Sequence, residues 1–168
     1  SFVPPETRPL EGLHEALRAV VASAQRERPE RFATLDIDAT IIVSDKREAA
    51  MTYEGEKGYQ PVVACWAEQE MIVAEEFRDG NVPAGTDLLR VLKKGVATLP
   101  EGVERIYVRA DSAAYEHEFL NWCRETKPGG RDMVFAVSAD MSRELRRAIE
   151  ALPSKAWKEL DRRGGAIR

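Results

Sequence analysis

The spacing of apolar positions changes several times along this chain. Leu10, Leu13, Leu17, Val20 and Val21 recur at helical intervals, with Glu, Arg and Gln between them. This predicts an amphipathic helix that ends before Pro29. The stretch "FATLDIDATIIV" then reads as a strand. After the polar connection "SDKREAAMTYEGEKG" come "YQPVVACWA" and "MIVAEEFRD", two further strands separated only by "EQE". Three such strands in succession predict an antiparallel meander. "TDLLRVLKKGVATL" returns to helical spacing, with Leu88, Leu89, Leu92 and Val96 on one face and Pro100 just beyond.

The second half alternates. "VERIYVRADS" is a predicted strand with Ile106, Val108 and Ala110 on one face. "AAYEHEFLNWCRET" is a predicted helix with Tyr115, Phe119, Trp122 and Cys123 aligned, and Gly129–Gly130 breaks it. "DMVFAVSA" follows as a strand, then "SRELRRAIEAL" as a helix with Leu145, Ala148, Ile149 and Leu152 facing inward. The tail "PSKAWKELDRRGGAIR" is basic and aperiodic. The order is a leading helix and then β-β-β-α-β-α-β-α. It predicts an α/β domain in which a mixed sheet carries helices on its faces.

Composition narrows the reading only slightly. A chain of 168 residues can bury roughly 70% of its unfolded surface without disulfides or structural metals. The net charge of -4 lacks the basic excess of a dedicated nucleic-acid-binding module, although a local basic stripe would still serve. Cys65 and Cys123 are far apart in sequence, with no metal-ligand spacing, and read as buried free thiols. His14 and His117 are isolated in helical segments and read as ordinary side chains. No apolar run approaches the roughly 20 residues of a membrane span, which predicts a soluble, cytoplasmic protein. The start at Ser1 and the end just after a Gly-Gly pair suggest a piece of a longer protein.

The chemistry concentrates on aspartates in strands, where Asp is otherwise depleted. Asp36, Asp38 and Thr40 share one face of the first strand, and Leu35, Ile37, Ala39 and Ile41 the other. The two carboxylates then lie about 6.7 Å apart at the backbone. Asp111 ends another strand and precedes a helix for which Ser112 is a candidate N-cap. Carboxylates grouped at strand ends suit a hard divalent cation such as Mg²⁺, with Mn²⁺ as a substitute. Paired ions of that kind serve phosphodiester chemistry. The plainer alternatives are that Asp36 faces solvent or pairs with an arginine, and that Asp111 only caps the helix.

Two family resemblances meet at these residues. "LDIDATI" resembles the Asp-x-Asp-x-Thr strand of haloacid dehalogenase-like phosphatases. That resemblance implies Asp36 as nucleophile, Asp38 as acid/base and Ser138 as a phosphate ligand. The family's downstream Lys and acidic pair are missing. The chain also resembles, from about Phe32 to Trp157, the DDE-type transposases of bacterial insertion sequences. The carrying stretches are "LDIDAT", "EGEKGYQPVVACW", "EEFRDGNVPAG", "VRADSAAY" and "FAVSADMSRELRRAIEALPSKAW", in that order. This resemblance implies an RNase H-like core and catalytic, Mg²⁺-coordinating roles for Asp38 and Asp111. It also implies DNA as partner, in cleavage and strand transfer at element ends, and a homodimer for the full-length protein. Asp36 would support the site from the same face.

A third acid in a Tyr-x-x-Arg-x-x-x-Glu motif is not found in the sequence and is expected beyond Arg168; Glu144 reads as a helix-surface residue. The resemblance divides the chain into a helical segment (1–30), a partial RNase H-like core (31–152) and a basic tail (153–168) leading toward an insertion domain. A catalytically inactive fragment is the third reading. Trp66, Trp122 and Trp157 could stack on bases, but Trp66 and Trp122 are expected in the core and Trp157 lies in the tail. Arg143, Arg146, Arg147, Lys155, Lys158, Arg162 and Arg163 could meet phosphates or form a solvated face, and Lys93–Gly95 is expected at the surface.

Overall fold

The computed structural model describes residues 8–157. Its elements in chain order are α1 (Arg8–Glu27), β1 (Phe32–Ala39), β2 (Ile42–Val43), β3 (Ala50–Met51), β4 (Lys57–Tyr59), β5 (Val62–Trp66), β6 (Met71–Glu76), α2 (Leu88–Thr98), β7 (Arg105–Ala110), α3 (His117–Glu125), β8 (Asp132–Val137) and α4 (Arg143–Glu150). Five strands make the main sheet in the order β6-β5-β1-β7-β8. The meander β1-β5-β6 is antiparallel, whereas β1-β7 and β7-β8 are parallel. The predicted mixed sheet and its β-β-β-α-β-α-β-α order are therefore present, in the arrangement of an RNase H-like domain.

Alternation along the strands assigns the two faces. Ala33, Leu35 and Ile37 of β1, Ile106 and Val108 of β7, and Val62, Ala64 and Trp66 of β5 are buried. They form one core with Val21 of α1, Val91, Leu92 and Val96 of α2, and Phe119 and Cys123 of α3. Each fully buried Leu or Val here contributes roughly 1.5–3 kcal/mol. α2 lies close enough to the sheet that a side chain at Gly95 would meet the Ala64 Cβ at 3.1 Å. Gly95 is thus a packing residue, and only the lysines of that tripeptide reach outward. The opposite face carries Phe32, Thr34, Asp36, Asp38, Tyr107, Arg109 and Val134.

The structure departs from the periodic pattern in four places. The first predicted strand breaks at Thr40, whose N–H bonds Pro61 O. Its last residues enter a separate three-stranded sheet, β2-β4-β3. The polar connection supplies the other two strands, which are too short to show any period. Leu13 and Val20 of α1 are exposed, because only the Leu17–Val21 side reaches the core. Tyr115 is also exposed: the chain makes a 3₁₀ turn at Ser112–Ala114, and α3 begins only at His117. α4 has no buried residue; Leu152 beyond it is exposed, and Leu145 and Ile149 are only half-buried. Among the described residues, no helix is long and apolar enough to cross a membrane.

Candidate active site

β1 and β7 run parallel, with Asp36 opposite Arg109 and Ile37 opposite Ala110 as the last rung. Asp38 and Asp111 are the next residue on each strand. By alternation both lie on the face away from the helices, and both are exposed. The two aspartates singled out in the sequence are therefore brought to one sheet edge. Ser138 arrives at the same edge, its N–H bonding Ala110 O at 3.2 Å.

Asp111 also has a local structural role. It is the N-cap of the 3₁₀ turn, with Oδ1 accepting from Ala113 N at 3.0 Å. The cap is Asp111 rather than Ser112, because Asp111 retains extended backbone angles (φ -79°, ψ -170°) while the turn begins at the next residue. The bond holds the carboxylate at the strand end and leaves Oδ2 for another partner.

Asp36 takes the arginine-paired alternative. Arg109 Nε and Nη2 donate to its Oδ1 and Oδ2 at 2.5 and 2.6 Å. Both carboxylate oxygens of Asp36 are thus engaged one row behind Asp38. Across the ladder Asp36 faces Cys65. Partial burial, then the charges of Asp36 and Asp38, push the Cys65 thiol up from its ordinary value. Both cysteines are free, Cys123 buried and Cys65 only half-buried.

The small sheet borders this edge. Thr52 N–H closes the β3-β4 hairpin on Glu56 O at 2.8 Å, and Gly55 takes a positive φ of 84° in its turn. Tyr53 at the tip is exposed. The charge of Glu54, then desolvation, then a bond to Glu54 and the charge of Asp111, push its phenol up. Beneath the hairpin runs the segment after β6. Gly80 packs so tightly there that a Cβ would stand 2.5 Å from Gly58 O and 2.8 Å from the Thr52 methyl. Further along, Gly85 lies against Ala113 O in the turn that Asp111 caps. The segment thus connects the hairpin to the acid-bearing strand end.

A buried ion network anchors the segment. Arg78, 1% exposed, donates from Nε to Glu76 Oε1 at 2.8 Å, and Arg90 of α2 donates to both Glu76 oxygens at 2.8 and 3.0 Å. Burial alone would raise the Glu76 carboxyl, but the bonds and charges of Arg90 and Arg78 outweigh it and hold the group below its ordinary value. Periodicity could not identify this network. The only sequence trace is a charged pair, Glu76 and Arg78, at the end of an apolar strand, where burial demands compensation.

The remaining candidates lie elsewhere. Trp66 is in the core; Trp122 packs beside it under Lys93, whose Nζ is 5.7 Å from the ring centroid. His14 contacts Glu75 at 3.3 Å, and His117 contacts Asn121. Arg143, Arg146, Arg147, Lys155 and Glu144 are exposed, while Lys158, Arg162 and Arg163 fall outside the described residues. Among the described residues, no group of three or more His, Cys, Asp or Glu side chains is placed to hold a metal. What the edge offers is two hard carboxylates open to solvent. Their chemistry fits a divalent cation that fills its other positions with water or phosphate oxygen.

The β-β-β-α-β-α-β-α order and the mixed sheet define the class: an RNase H-like α/β domain. The family model described as "Transposase DDE domain group 1" matches residues 3–164, and the chain belongs to that family. It is accordingly a DNA transposase domain, of a family whose enzymes depend on divalent metal. No curated protein and no solved structure matches the chain. Family membership sets aside the phosphatase reading, whose nucleophile, Asp36, is held by Arg109 at both oxygens.

Proposed function

We propose that Asp38 and Asp111 are two acids of the catalytic centre of an insertion-sequence transposase, which cleaves phosphodiesters at the ends of its element and joins them to target DNA. The observation that carries this reading is the parallel register: the two aspartates directly follow the Ile37–Ala110 rung on the uncovered face. Asp38 and the free oxygen of Asp111 would hold Mg²⁺ or Mn²⁺. Held there, such ions would supply the positive charge that activates a water or a DNA 3′-hydroxyl and offsets charge on the departing oxygen.

The other residues prepare that site. The Ala113 N–H fixes the Asp111 carboxylate. Arg109 withdraws Asp36 from competition for the cation. Residues 31–152 carry the core on this reading, with residues 153–168 as a basic extension. The partner is DNA, and the complete enzyme works as a homodimer in the cytoplasm.

The test is direct metal binding. Mn²⁺ titrated into the protein and followed by the free-ion EPR signal should bind to the parent chain and fail to bind to Asp38→Asn and to Asp111→Asn. Equal binding by all three proteins overturns the assignment. Nicking of supercoiled DNA in Mn²⁺, weak in the parent and absent from both variants, is the matching activity readout.

A further inference from the structure

We infer that Arg109 is a DNA-phosphate ligand of this site, held ready by Asp36. The inference rests on the reading of Asp38 and Asp111 given above and extends it to the neighbouring row of the sheet.

Three observations support it. The first is position. Arg109 lies two residues before Asp111 on β7 and shares its face, as Asp36 lies two residues before Asp38 on β1. One row of a strand face spans about 6.7 Å, while a DNA strand carries a phosphate about every 3.4 Å of helix axis. A strand with its scissile phosphate at the two acids therefore has other phosphates within reach of Arg109.

The second is exposure. The side chains of Arg109 and Asp36 are 59% and 37% exposed. An exposed ion pair is typically worth only about 0–1 kcal/mol, and here its two hydrogen bonds hold the guanidinium in one orientation on the open face. Such a solvent-accessible pair can exchange its carboxylate for a phosphodiester oxygen, and the planar guanidinium fork fits either acceptor. Among the described residues, the hydrogen bonds of Arg109 run from Nε and Nη2 to Asp36. Nη1 is left to bond a second oxygen while the pair persists.

The third is charge. Asp36, Asp38, Asp111 and Glu68, which bonds Thr34, lie on or beside this face, and Arg109 is the cation set among them. A DNA strand at the acids gains from a cationic contact beside the metal, and of the two arginines that β7 presents on this face, Arg105 and Arg109, Arg109 is the nearer to Asp111. Asp36 keeps the long arginine side chain against the sheet, which lowers the ordering cost when DNA arrives.

The experiment separates this from the metal reading by working without metal. In an Asp38→Asn/Asp111→Asn background, binding of a fluorescent 20-base-pair duplex of arbitrary sequence is measured over a range of salt in EDTA. Adding Asp36→Asn should leave binding as tight or tighter, with the same salt slope. Adding Asp36→Asn with Arg109→Gln should weaken binding about tenfold at low salt and reduce the slope of log K against log salt by about 0.9, one phosphate contact. Arg109→Lys should keep most of the slope. The exchanged pair Asp36→Arg/Arg109→Asp should restore thermal stability but not DNA binding. Equal slopes for the Asp36→Asn chain with and without Arg109→Gln overturn the inference, as does full recovery of DNA binding by the exchanged pair. Either failure leaves the Mn²⁺ result for Asp38 and Asp111 standing, and loss of that result leaves this one readable.

Discussion

Asp38 and Asp111 each follow directly on the last rung of the parallel β1-β7 ladder, Ile37 opposite Ala110. Seventy-odd residues apart in sequence, they are set at one edge by backbone pairing alone. Because Asp111 also caps a turn, its cap and its proposed metal-binding role separate by substitution. Asn caps about as well as Asp, so Asp111→Asn should lose divalent binding with a melting temperature close to the parent's. Asp111→Ala should lose both, with about 1 kcal/mol of stability. Thermal melts alongside Mn²⁺ titration distinguish the two outcomes.

The buried Glu76–Arg78–Arg90 network should dominate over the surface pair. Removing one partner of a buried ion pair costs about 3–5 kcal/mol, so Glu76→Gln should lower the urea midpoint sharply. Asp36→Asn, at an exposed pair, should shift stability by no more than about 1 kcal/mol. Comparable losses in urea denaturation would refute this ranking.

The same carboxylate gives a pH prediction. Glu76 is held below its ordinary value in the folded chain, so the folded state binds its proton less readily than the unfolded state does. Its stabilisation is fully present above the unfolded value, about 4.3. It is lost as pH falls from there through the folded value. Parent stability should decline over that acid range, and Glu76→Gln should decline less steeply. Parallel profiles from denaturation at stepped pH would show that Glu76 does not contribute.

Gly80→Ala should loosen the small sheet without unfolding the large one. Its Cβ would meet Gly58 O at 2.5 Å and Ala50 O at 2.8 Å, both backbone atoms that cannot rotate away. Overpacking of this kind costs about 1–3 kcal/mol. Amide exchange should accelerate at Thr52 and Gly80, whose N–H groups bond Glu56 O and Gly58 O, and stay slow in β1 and β7. Uniform acceleration would show that the two sheets unfold as one unit.

The two thiols should differ in reactivity. Burial pushes Cys123 up to about 11, and it is 1% exposed. Cys65 is half-buried on the open face. At neutral pH a disulfide reagent should label Cys65 slowly and Cys123 only when the chain unfolds. Faster labelling of Cys123 in the folded protein contradicts its place in the core.

Much of the fold was legible because it rests on period. Leu88, Leu92 and Val96 on one helical face, and Leu35 and Ile37 on one strand face, are the residues the core buries. The pattern failed where elements are too short to repeat, as in β2, β3 and β4, or where a stripe extends past its neighbour, as at Leu13, Tyr115 and Leu152. Asp38 and Asp111 stood out because a carboxylate at a strand end is anomalous. Arg109 did not, since an arginine in a half-exposed strand is unremarkable.

By itself, then, the sequence determined the order of the main-sheet strands and their helices, the buried side of those that reach the core, and the two aspartates worth attention. These follow from local period and from the cost of placing charge in a strand. Only the tertiary structure decided that Asp36 belongs to Arg109, that Asp111 caps its own turn, and that Glu76 anchors the segment beside the site. Those outcomes depend on strand register and close packing between distant segments, which no local pattern encodes.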